Sequence, residues 1–348
     1  MPYPAHLEAF DRLGRLFNKF SESVAIESDP WLVRLKESIA LAEVQNGWFT
    51  EQNCRFAIAQ WGSILTTESL LKWTAPYEQP SQFSSKTIAI IMAGNIPLVG
   101  FHDFVTALIS GHGIIAKLSS NDKVLLPFIV AFLESIDATL KGKIRLTQER
   151  LSGFDAVIAT GSNNTGRYFE HYFGKYPNII RKNRSSVAIL TGNESERQLK
   201  DLGLDIFGYF GLGCRSVSKL FVPKGYRFDV FFKAIFDWGH LLQHHKYVNN
   251  YDYNKAVYLM SDVKLLDNEF LLLKEDLRHA SPIGTLFFEY YEDIDAVRHT
   301  LKNEASSIQC VVAQDVLEGE IAFGHAQRPQ LGDYADNIDT MTFLLQLS

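Results

Sequence analysis

The chain has 348 residues, of which 46% are hydrophobic, 21% are charged and 13% are aromatic. This composition is typical of a folded protein rather than a disordered one, and the length favours two domains over one. The formal net charge of -6 argues against non-specific nucleic-acid binding, because that binding needs a basic surface.

Three widely spaced cysteines, Cys54, Cys214 and Cys310, exclude a disulfide framework and do not have the paired spacing of a zinc site. Reduced thiols are typical of a reducing compartment. The N-terminal residues do not have the pattern of a signal peptide, and the longest apolar stretch, residues 88–101, is too short to cross a bilayer. These features predict a cytoplasmic protein without a membrane span.

In chain order, residues 1–77 predict helices, because apolar residues recur at three- and four-residue spacing. From residue 87 onward, short apolar runs alternate with helical patterns. The predicted strands are 87–92, 113–118 and 156–160, and the predicted helices are 101–110, 124–140 and one from about 167. This alternation predicts a parallel, doubly wound α/β sheet, and such sheets bind nucleotides at the carboxyl ends of their strands.

A second alternating pattern follows and predicts a second α/β unit. Its segments are a strand at 186–190, a helix at 194–210, a strand at 219–222, a helix at 228–242, and shorter elements at 257–260, 284–288, 294–301 and 308–312. The predicted organisation is therefore a helical N-terminal segment with a nucleotide-binding domain over 1–183 and a catalytic domain over 184–325. The tail, 326–348, ends in a strand-like run at 342–345 and is expected to return to the first domain or to contribute an oligomer contact.

Cys214 is the strongest candidate for a reactive residue. Gly211 and Gly213 leave the backbone beside it free to approach a ligand and to direct N–H groups at it. These amides and Arg215 are expected to favour the thiolate, which is the nucleophilic form of cysteine. A buried structural thiol is the alternative, and the local sequence leaves both interpretations open.

Polar groups also follow the predicted strands of the first sheet. Asn95 is a candidate to hold an oxyanion through its side-chain amide, or alternatively a turn residue. The glycine turn 161–166 offers N–H groups to a phosphate, although it is not the three-glycine dinucleotide fingerprint. Lys117, followed by Ser119 and Ser120, ends another strand and is suited to a ribose or phosphate, although exposed lysines are common there.

Two further clusters have simpler interpretations. Arg181, Lys182 and Arg184 form a short basic run that is interpreted as a solvated loop, with a local anion pocket as the alternative. His240 and His244 have the i, i+4 spacing that some metal sites use, but the glutamate of the usual metalloprotease pattern is missing. No metal site is therefore predicted.

In their order and spacing, these motifs resemble the aldehyde dehydrogenase superfamily and, more narrowly, the LuxC-type acyl-CoA reductases. The resemblance covers roughly residues 46–345, and its most specific part is the passage from 185–190 through a helix to 211–222. It implies an aldehyde-dehydrogenase-like α/β fold with Cys214 as the catalytic cysteine. It also implies that Asn95 shares the oxyanion hole with the amide of the cysteine.

The resemblance further implies a nicotinamide cofactor. Lys117 corresponds to the lysine that contacts the adenosine ribose, with Ser119 and Ser120 beside it. In the glycine turn, Gly161 and Ser162 correspond to the pair beneath the pyrophosphate. Gly166 closes the same turn and is assigned to the same site.

Three departures from the superfamily pattern refine this expectation. Hydrolytic members carry a glutamate base where this chain has Ile180 or a neighbour, so attack by water is poorly assisted and exchange with coenzyme A is favoured. The NAD-selective glutamate is replaced by Ser120, which removes the repulsion of a 2′-phosphate and predicts NADPH as cofactor, with NADH possible. The glutamate that contacts the nicotinamide ribose is absent from the corresponding region, 278–282.

The predicted function is NADPH-dependent reduction of an acyl-CoA thioester to the aldehyde through an acyl-enzyme on Cys214. A long-chain fatty acyl group and a homo-oligomer are implied by the resemblance only. Three alternatives stay open: an acyl-phosphate reductase of the same superfamily, a hydrolytic aldehyde dehydrogenase, which the missing carboxylate disfavours, and a non-catalytic scaffold with a degenerate aldehyde-dehydrogenase fold.

Overall fold

The computed structural model describes residues 4–23, 26–78 and 80–347, so residues 1–3, 24 and 25 of the predicted helical segment and residue 348 of the tail lie outside it. Within the described residues, no helix has both the length and the apolar character needed to cross a membrane. The chain divides into two compact units. The first unit is Met1–Lys182 with Gln330–Ser348, and the second unit is Asn183–Pro329.

The first unit begins with helices, as the apolar spacing predicts. They are α1 (Leu7–Ser21), α2 (Pro30–Gln45), α3 (Glu51–Ile64) and α4 (Thr67–Thr74), with a 3-10 turn at Ile26–Ser28. Asp29, Thr50 and Thr66 cap α2, α3 and α4 by accepting a backbone N–H in the first turn. The apolar face of α1 is fully buried in the core of this unit.

A five-stranded parallel sheet follows in the first unit. Its strands are β1 (Thr87–Ile91), β2 (Gly113–Lys117), β3 (Ile144–Thr147), β4 (Ala156–Thr160) and β5 (Asn178–Arg181). Its helices are α5 (Phe101–Ile109), α6 (Leu125–Ile136) and α7 (Asn163–Phe173), with a 3-10 turn at Ala138–Leu140. The strand order is β3-β2-β1-β4-β5. The sequence pattern does not predict the edge strands β3 and β5, because they are short and only partly apolar.

The strand order creates a switch point between β1 and β4. From β1 the chain moves outward through β2 and β3, and it then returns to the opposite side of β1 through β4 and β5. In register, Ile91 pairs with Lys117 on one side and with Ala159 on the other. The loops after β1, β2 and β4 therefore leave the same edge of the sheet, which is where such sheets bind nucleotides.

The second unit contains a six-stranded mixed sheet. Its strands are β6 (Ser185–Ile189), β7 (Val217–Pro223), β8 (Leu265–Asp267), β9 (Leu272–Glu275), β10 (Thr285–Tyr291) and β11 (Ile308–Val312). The order is β11-β6-β7-β10-β9-β8, and only the edge strand β8 runs antiparallel to its neighbour among the strands described. Its helices are α8 (Glu196–Phe207), α9 (Phe228–Ala234), α10 (His245–Met260) and α11 (Ile294–Asn303), with 3-10 turns at Gly208–Gly211 and Phe236–Gln243. The predicted α/β class with two sheets is confirmed.

One apolar run has a different structure from the one that its sequence predicts. The strand-like run 342–345 belongs to a final helix, α12 (Thr340–Leu345), which follows a 3-10 turn at Ala335–Asn337, and residues 257–260, whose type the sequence left open, are the last turn of α10. Asp339 caps α12 by accepting the N–H of Thr342 at 2.9 Å. Four-residue apolar runs do not distinguish a strand from a helical turn, so the local pattern alone was insufficient here.

Arg181 lies in a buried ion pair, so its interpretation as part of a solvated loop is wrong. Only 4% of its side chain is exposed, and its guanidinium donates to both carboxylate oxygens of Asp103, at 2.5 and 3.0 Å. It also donates to the hydroxyl of Thr340 at 3.0 Å. This pair joins β5 to α5 and to the start of α12. The next basic residue, Lys182, is exposed and pairs with Glu170.

Replacing Asp103 by alanine is expected to lower the free energy of unfolding by about 3–5 kcal/mol, because Arg181 would remain buried without its counter-ion. Urea denaturation followed by tryptophan fluorescence measures this, since four of the five tryptophans, all except Trp238, belong to the first unit. The matched control is Glu8→Ala, which removes an exposed ion pair with Arg12 and is expected to cost less than about 1 kcal/mol. Equal losses in the two variants would contradict the structural role of the buried pair.

Candidate active site

The loop after β1 carries Asn95 and packs directly against the loop after β2. A Cβ at Gly94 would lie 2.3 Å from the hydroxyl oxygen of Ser119 and 2.6 Å from its Cβ, so only glycine fits there. Ser119 is half-buried, and its hydroxyl accepts the N–H of Asn121 at 3.2 Å. The predicted site residues Asn95 and Ser119 are therefore brought to adjacent loops.

A half-buried carboxylate that sequence analysis missed, Asp122, lies beside the same loop. Burial raises the pKa of Asp122, while the nearby N–H groups of Leu125 and Val124, at the start of α6, and of Leu98, three residues after Asn95, oppose that rise. Leu98 has a φ of 58°, a left-handed conformation that costs a leucine about 1–2 kcal/mol. The Leu98 N–H lies where it favours the charged form of Asp122, in the loop that also carries Asn95.

The glycine turn after β4 is organised as a helix N-terminus. Ser162 caps α7 by accepting the N–H of Thr165 at 3.2 Å, and its hydroxyl also bonds the Thr165 hydroxyl at 2.9 Å. The N–H of Gly161 donates to the carbonyl of Arg181, and the N–H of Gly166 donates to the carbonyl of Ser162. These two amides are used inside the protein, so the glycines would serve a phosphate by permitting close approach rather than by donating to it.

Lys117 lies at the carboxyl end of β2 and is half-buried, whereas Ser120, three residues later, is exposed. The carbonyl of Lys117 accepts the N–H of Met92, the first residue after β1. Because neighbouring strands are about 4.8 Å apart, the end of β2 is about 10 Å from the end of β4 across β1. Lys117 and Ser120 thus border the switch point from the β2 side.

In the second unit, a reversal of the chain precedes Cys214. Tyr209, Phe210 and Gly211 are three consecutive residues in the left-handed region, with φ values of 54°, 58° and 75°. Tyr209 and Phe210 are buried, and the ring of Phe210 stacks on that of His244 with centroids 4.3 Å apart. Packing of the two aromatic side chains thus offsets the cost of the unfavourable backbone. The reversal is followed by Cys214, which is exposed.

The backbone on either side of Cys214 is anchored by hydrogen bonds. The Cys214 carbonyl accepts the hydroxyl of Ser186, on β6, at 2.9 Å. The N–H of Gly213 donates to the Ser216 hydroxyl at 3.2 Å, and the N–H of Ser216 donates back to the carbonyl of Gly213 at 3.0 Å. The Gly213 amide is therefore not directed at a ligand, contrary to the expectation from the sequence. Arg215 donates its Nε–H to the carbonyl of Ala326 at 2.6 Å, and its expected effect on the thiol stays a prediction.

The other two thiols have different environments. Cys54 is fully buried on α3 and donates to the carbonyl of Phe49, and burial raises its pKa to about 12. Cys310 is half-buried on β11, with its sulfur 3.0 Å from the hydroxyl of Ser186. Among the three cysteines, Cys214 is the exposed one, and its placement is compatible with a nucleophile.

The histidine pair does not share one helix face. His240 lies in the 3-10 turn and bonds the carbonyl of Asp237 through its Nδ1, while His244 caps α10 by accepting the N–H of Tyr247. Across the described part of the chain, no group of three or more histidine, cysteine, aspartate or glutamate side chains is arranged to hold a metal ion.

The position predicted to lack a general base is occupied by β5. Ile180 pairs in register with Ala159, and the strand Asn178–Arg181 contains no carboxylate. In the second unit, the region 278–282 begins with Arg278, which donates to both carboxylate oxygens of Asp276. That aspartate is committed to a structural ion pair with a strongly lowered pKa.

The family comparison matches residues 67–230 of the chain to the model of the acyl-CoA reductase (LuxC) family. This stretch includes Asn95, Lys117, the glycine turn and Cys214. No protein of curated function showed significant sequence similarity to the chain.

Several solved structures share the fold. Aldehyde dehydrogenase 21 from Physcomitrella patens, in complex with the reaction product succinate, superposes with a TM-score of 0.64 at 12% identity, over 97% of this chain and 84% of that one. An indole-3-acetaldehyde dehydrogenase complexed with NAD+ superposes with a TM-score of 0.62 at 11% identity, over 93% of this chain and 74% of that one. The NAD+ complex of an aldehyde dehydrogenase from Bacillus cereus superposes with a TM-score of 0.57 at 13% identity, over 88% of this chain and 72% of that one. Identities this low establish the fold alone, which is the one predicted from the sequence.

The environments of the thiols predict selective alkylation. With iodoacetamide at about pH 8, Cys214 of the native protein is expected to react first, because it is exposed. Cys54 is expected to stay unmodified, since a pKa of about 12 leaves only about one thiolate in 10,000 thiols at that pH. Peptide mass spectrometry locates the label, and urea-unfolded protein, in which every cysteine should react, is the control. Native labelling of Cys54 as fast as Cys214 would contradict the described environments.

Proposed function

We propose that the chain, whose residues 67–230 match the model of the LuxC family of acyl-CoA reductases, reduces a long-chain fatty acyl-CoA to the aldehyde with NADPH. The observation that carries the proposal is the exposed Cys214 at the end of an anchored, left-handed reversal of the chain. Such a loop keeps one thiol accessible while the backbone beside it is held in place, which is what covalent catalysis requires of a nucleophile.

The first half-reaction forms a thioester on the protein. The Cys214 thiolate attacks the carbonyl carbon of the acyl-CoA, and the carbonyl π electrons move onto oxygen. Collapse of this tetrahedral species breaks the bond to the coenzyme A sulfur, which leaves as a thiolate. The acyl group is then bonded to Cys214, and no net proton has been consumed.

Asn95 is proposed to stabilise the oxyanion through its side-chain N–H. A donor of this kind contributes about 3 kcal/mol when it is fixed before the reaction. The close fit of Gly94 against Ser119 supports such fixing, because it restricts the loop that carries Asn95. The same loop leaves the sheet at the switch point, beside the proposed cofactor site.

The edge of the first sheet fits a dinucleotide. The N-terminus of α7, with the Ser162 hydroxyl, suits a pyrophosphate, and Lys117 suits the adenosine ribose, with Ser119 and Ser120 on the adjacent loop. Close packing at Gly161 and Gly166 leaves that turn without protruding side chains. A nicotinamide cofactor held by these residues would supply the hydride that reduces the acyl group. Departure of the aldehyde then returns the Cys214 thiolate.

The absence of a carboxylate from β5 favours reduction over hydrolysis. A water molecule attacking the acyl-enzyme needs a base to accept its proton, and residues 178–182 offer none, since Arg181 is held in its ion pair with Asp103. Coenzyme A exchanges without such help, because its thiolate is already nucleophilic. The acyl-enzyme is therefore expected to persist until hydride transfer.

Incubation with a long-chain acyl-CoA and no cofactor is expected to add the mass of one acyl group to the protein, located on Cys214 by peptide mass spectrometry. Cys214→Ala should form no adduct and lose the reductase activity. Cys310→Ser is the matched control, since it removes another thiol of the same unit and should retain the adduct. Acylation by an acyl phosphate but not by acyl-CoA would instead support the acyl-phosphate reductase, and an active Cys214→Ala variant would refute the mechanism.

Ser120→Glu is expected to raise the KM for NADPH at least about tenfold while changing the KM for NADH much less. The physical reason is repulsion between the new carboxylate and the 2′-phosphate. The matched control is Ser120→Gln, which introduces a side chain of the same size without charge. Steady-state kinetics with both cofactors measure the change, and an equal effect of the two substitutions on NADPH would argue against the assignment of Ser120 to the cofactor site.

A further inference from the structure

We propose that Asp205 is a positioning residue for Cys214, and that it acts through the backbone segment 324–327. Asp205 lies on α8, nine residues before the cysteine, and it is fully buried. The inference deepens the proposed function and rests on it, because it assigns the support of the loop that carries the proposed nucleophile.

The carboxylate of Asp205 holds the segment by two backbone hydrogen bonds. The N–H of Gly324 donates to Oδ2 at 2.6 Å, and the N–H of Ala326 donates to Oδ1 at 2.8 Å. Gly324 has a φ of 83°, and a Cβ there would lie 3.1 Å from the Cβ of Asp201, one turn earlier on α8. Glycine at 324 thus permits the close approach of the segment to the helix.

From this segment, two contacts reach the cysteine loop. The carbonyl of Ala326 accepts the Nε–H of Arg215 at 2.6 Å, directly after the cysteine. The side-chain amide of Gln327 donates to the hydroxyl of Ser216 at 3.2 Å, and the same hydroxyl accepts the N–H of Gly213. The residues on both sides of Cys214 are therefore connected to the segment that Asp205 holds.

A carboxylate is an unusual choice for this position, because the other buried positions of α8 are apolar or glycine. Burying an ionisable group costs several kcal/mol unless hydrogen bonds compensate for the lost water. Burial raises the pKa of Asp205 to about 7, while the N–H bonds from Gly324 and Ala326 oppose the rise. An apolar side chain would fill the same space but would leave both amides without acceptors, so the contact with the segment explains why the carboxylate is there.

Asp205→Asn tests the assignment, because it keeps the volume and one acceptor oxygen but presents an NH2 group to one of the two amides. The rate of Cys214 alkylation by iodoacetamide at about pH 8 is expected to fall about tenfold. The kcat for acyl-CoA reduction should fall by a similar factor with little change in KM, since small displacements of a reacting group lower the rate strongly. If Asp205 only stabilised the fold, the melting temperature would fall, but kcat and the alkylation rate would not fall together at a nearly constant KM.

The matched control is Glu320→Gln. Glu320 is a half-buried carboxylate of the same unit that accepts two backbone N–H groups, from Val316 and Leu317. This substitution removes the negative charge of a carboxylate in a turn of its own, while the remaining amide oxygen can still accept both N–H groups, and it is expected to leave the alkylation of Cys214 within twofold of the unsubstituted protein.

Gln327→Met tests the same hydrogen-bond network if Asp205→Asn fails to fold. It removes the donor to Ser216 without changing the carboxylate, and it should slow alkylation of Cys214 in the same direction. In the double variant the two effects should be less than additive, because both act through one network.

Unchanged alkylation and kcat in folded Asp205→Asn or Gln327→Met protein would overturn the proposal, as would an equal loss in Glu320→Gln. The alkylation measurement needs neither acyl-CoA nor cofactor. A failure of the acyl-enzyme scheme would therefore appear as a missing acyl adduct in the unsubstituted protein, and the role of Asp205 would still be decided by the alkylation rates.

Discussion

The reversal of the chain before Cys214 is the constraint on which the proposed chemistry depends. Three consecutive residues in the left-handed region turn the backbone sharply. Two of them are bulky aromatic residues, for which this conformation is energetically unfavourable. Burial of both rings, and the stacking of Phe210 on His244, make the arrangement stable. The result is an exposed thiol on a backbone that is fixed by hydrogen bonds to Ser186 and Ser216.

Each unit has a carboxylate close to the backbone of a candidate site loop. In the first unit, the N–H of Leu98, in the loop of Asn95, favours the charged form of the half-buried Asp122. In the second unit, Asp205 accepts the N–H groups of a segment that contacts the cysteine loop. A carboxylate forms stronger hydrogen bonds to backbone amides than a neutral acceptor does, and the surrounding low dielectric strengthens them further.

The proposed chemistry depends on the absence of a carboxylate from β5 as well as on the charged groups that are present. On β5, the only ionised side chain is Arg181, and its pairing with Asp103 serves the packing of β5, α5 and α12. The strand therefore contributes to stability rather than to acid–base chemistry. Together with the absence of a carboxylate at Ser120, this is the reason for proposing a thioester substrate and a phosphorylated cofactor.

The sequence by itself determined the α/β class, the central strands and the N-terminal helices, because hydrophobic periodicity is a local property that the chain carries wherever it folds. It also singled out Cys214 and Asn95 as candidates, through glycine and turn residues next to predicted strands. Only the tertiary structure decided the burial of Arg181 in an ion pair, the backbone contacts of Asp205, and the helical state of 342–345. Each of these depends on partners distant in sequence or on packing that no local pattern encodes: Asp103 is 78 residues from Arg181, and Ala326 is 121 residues from Asp205.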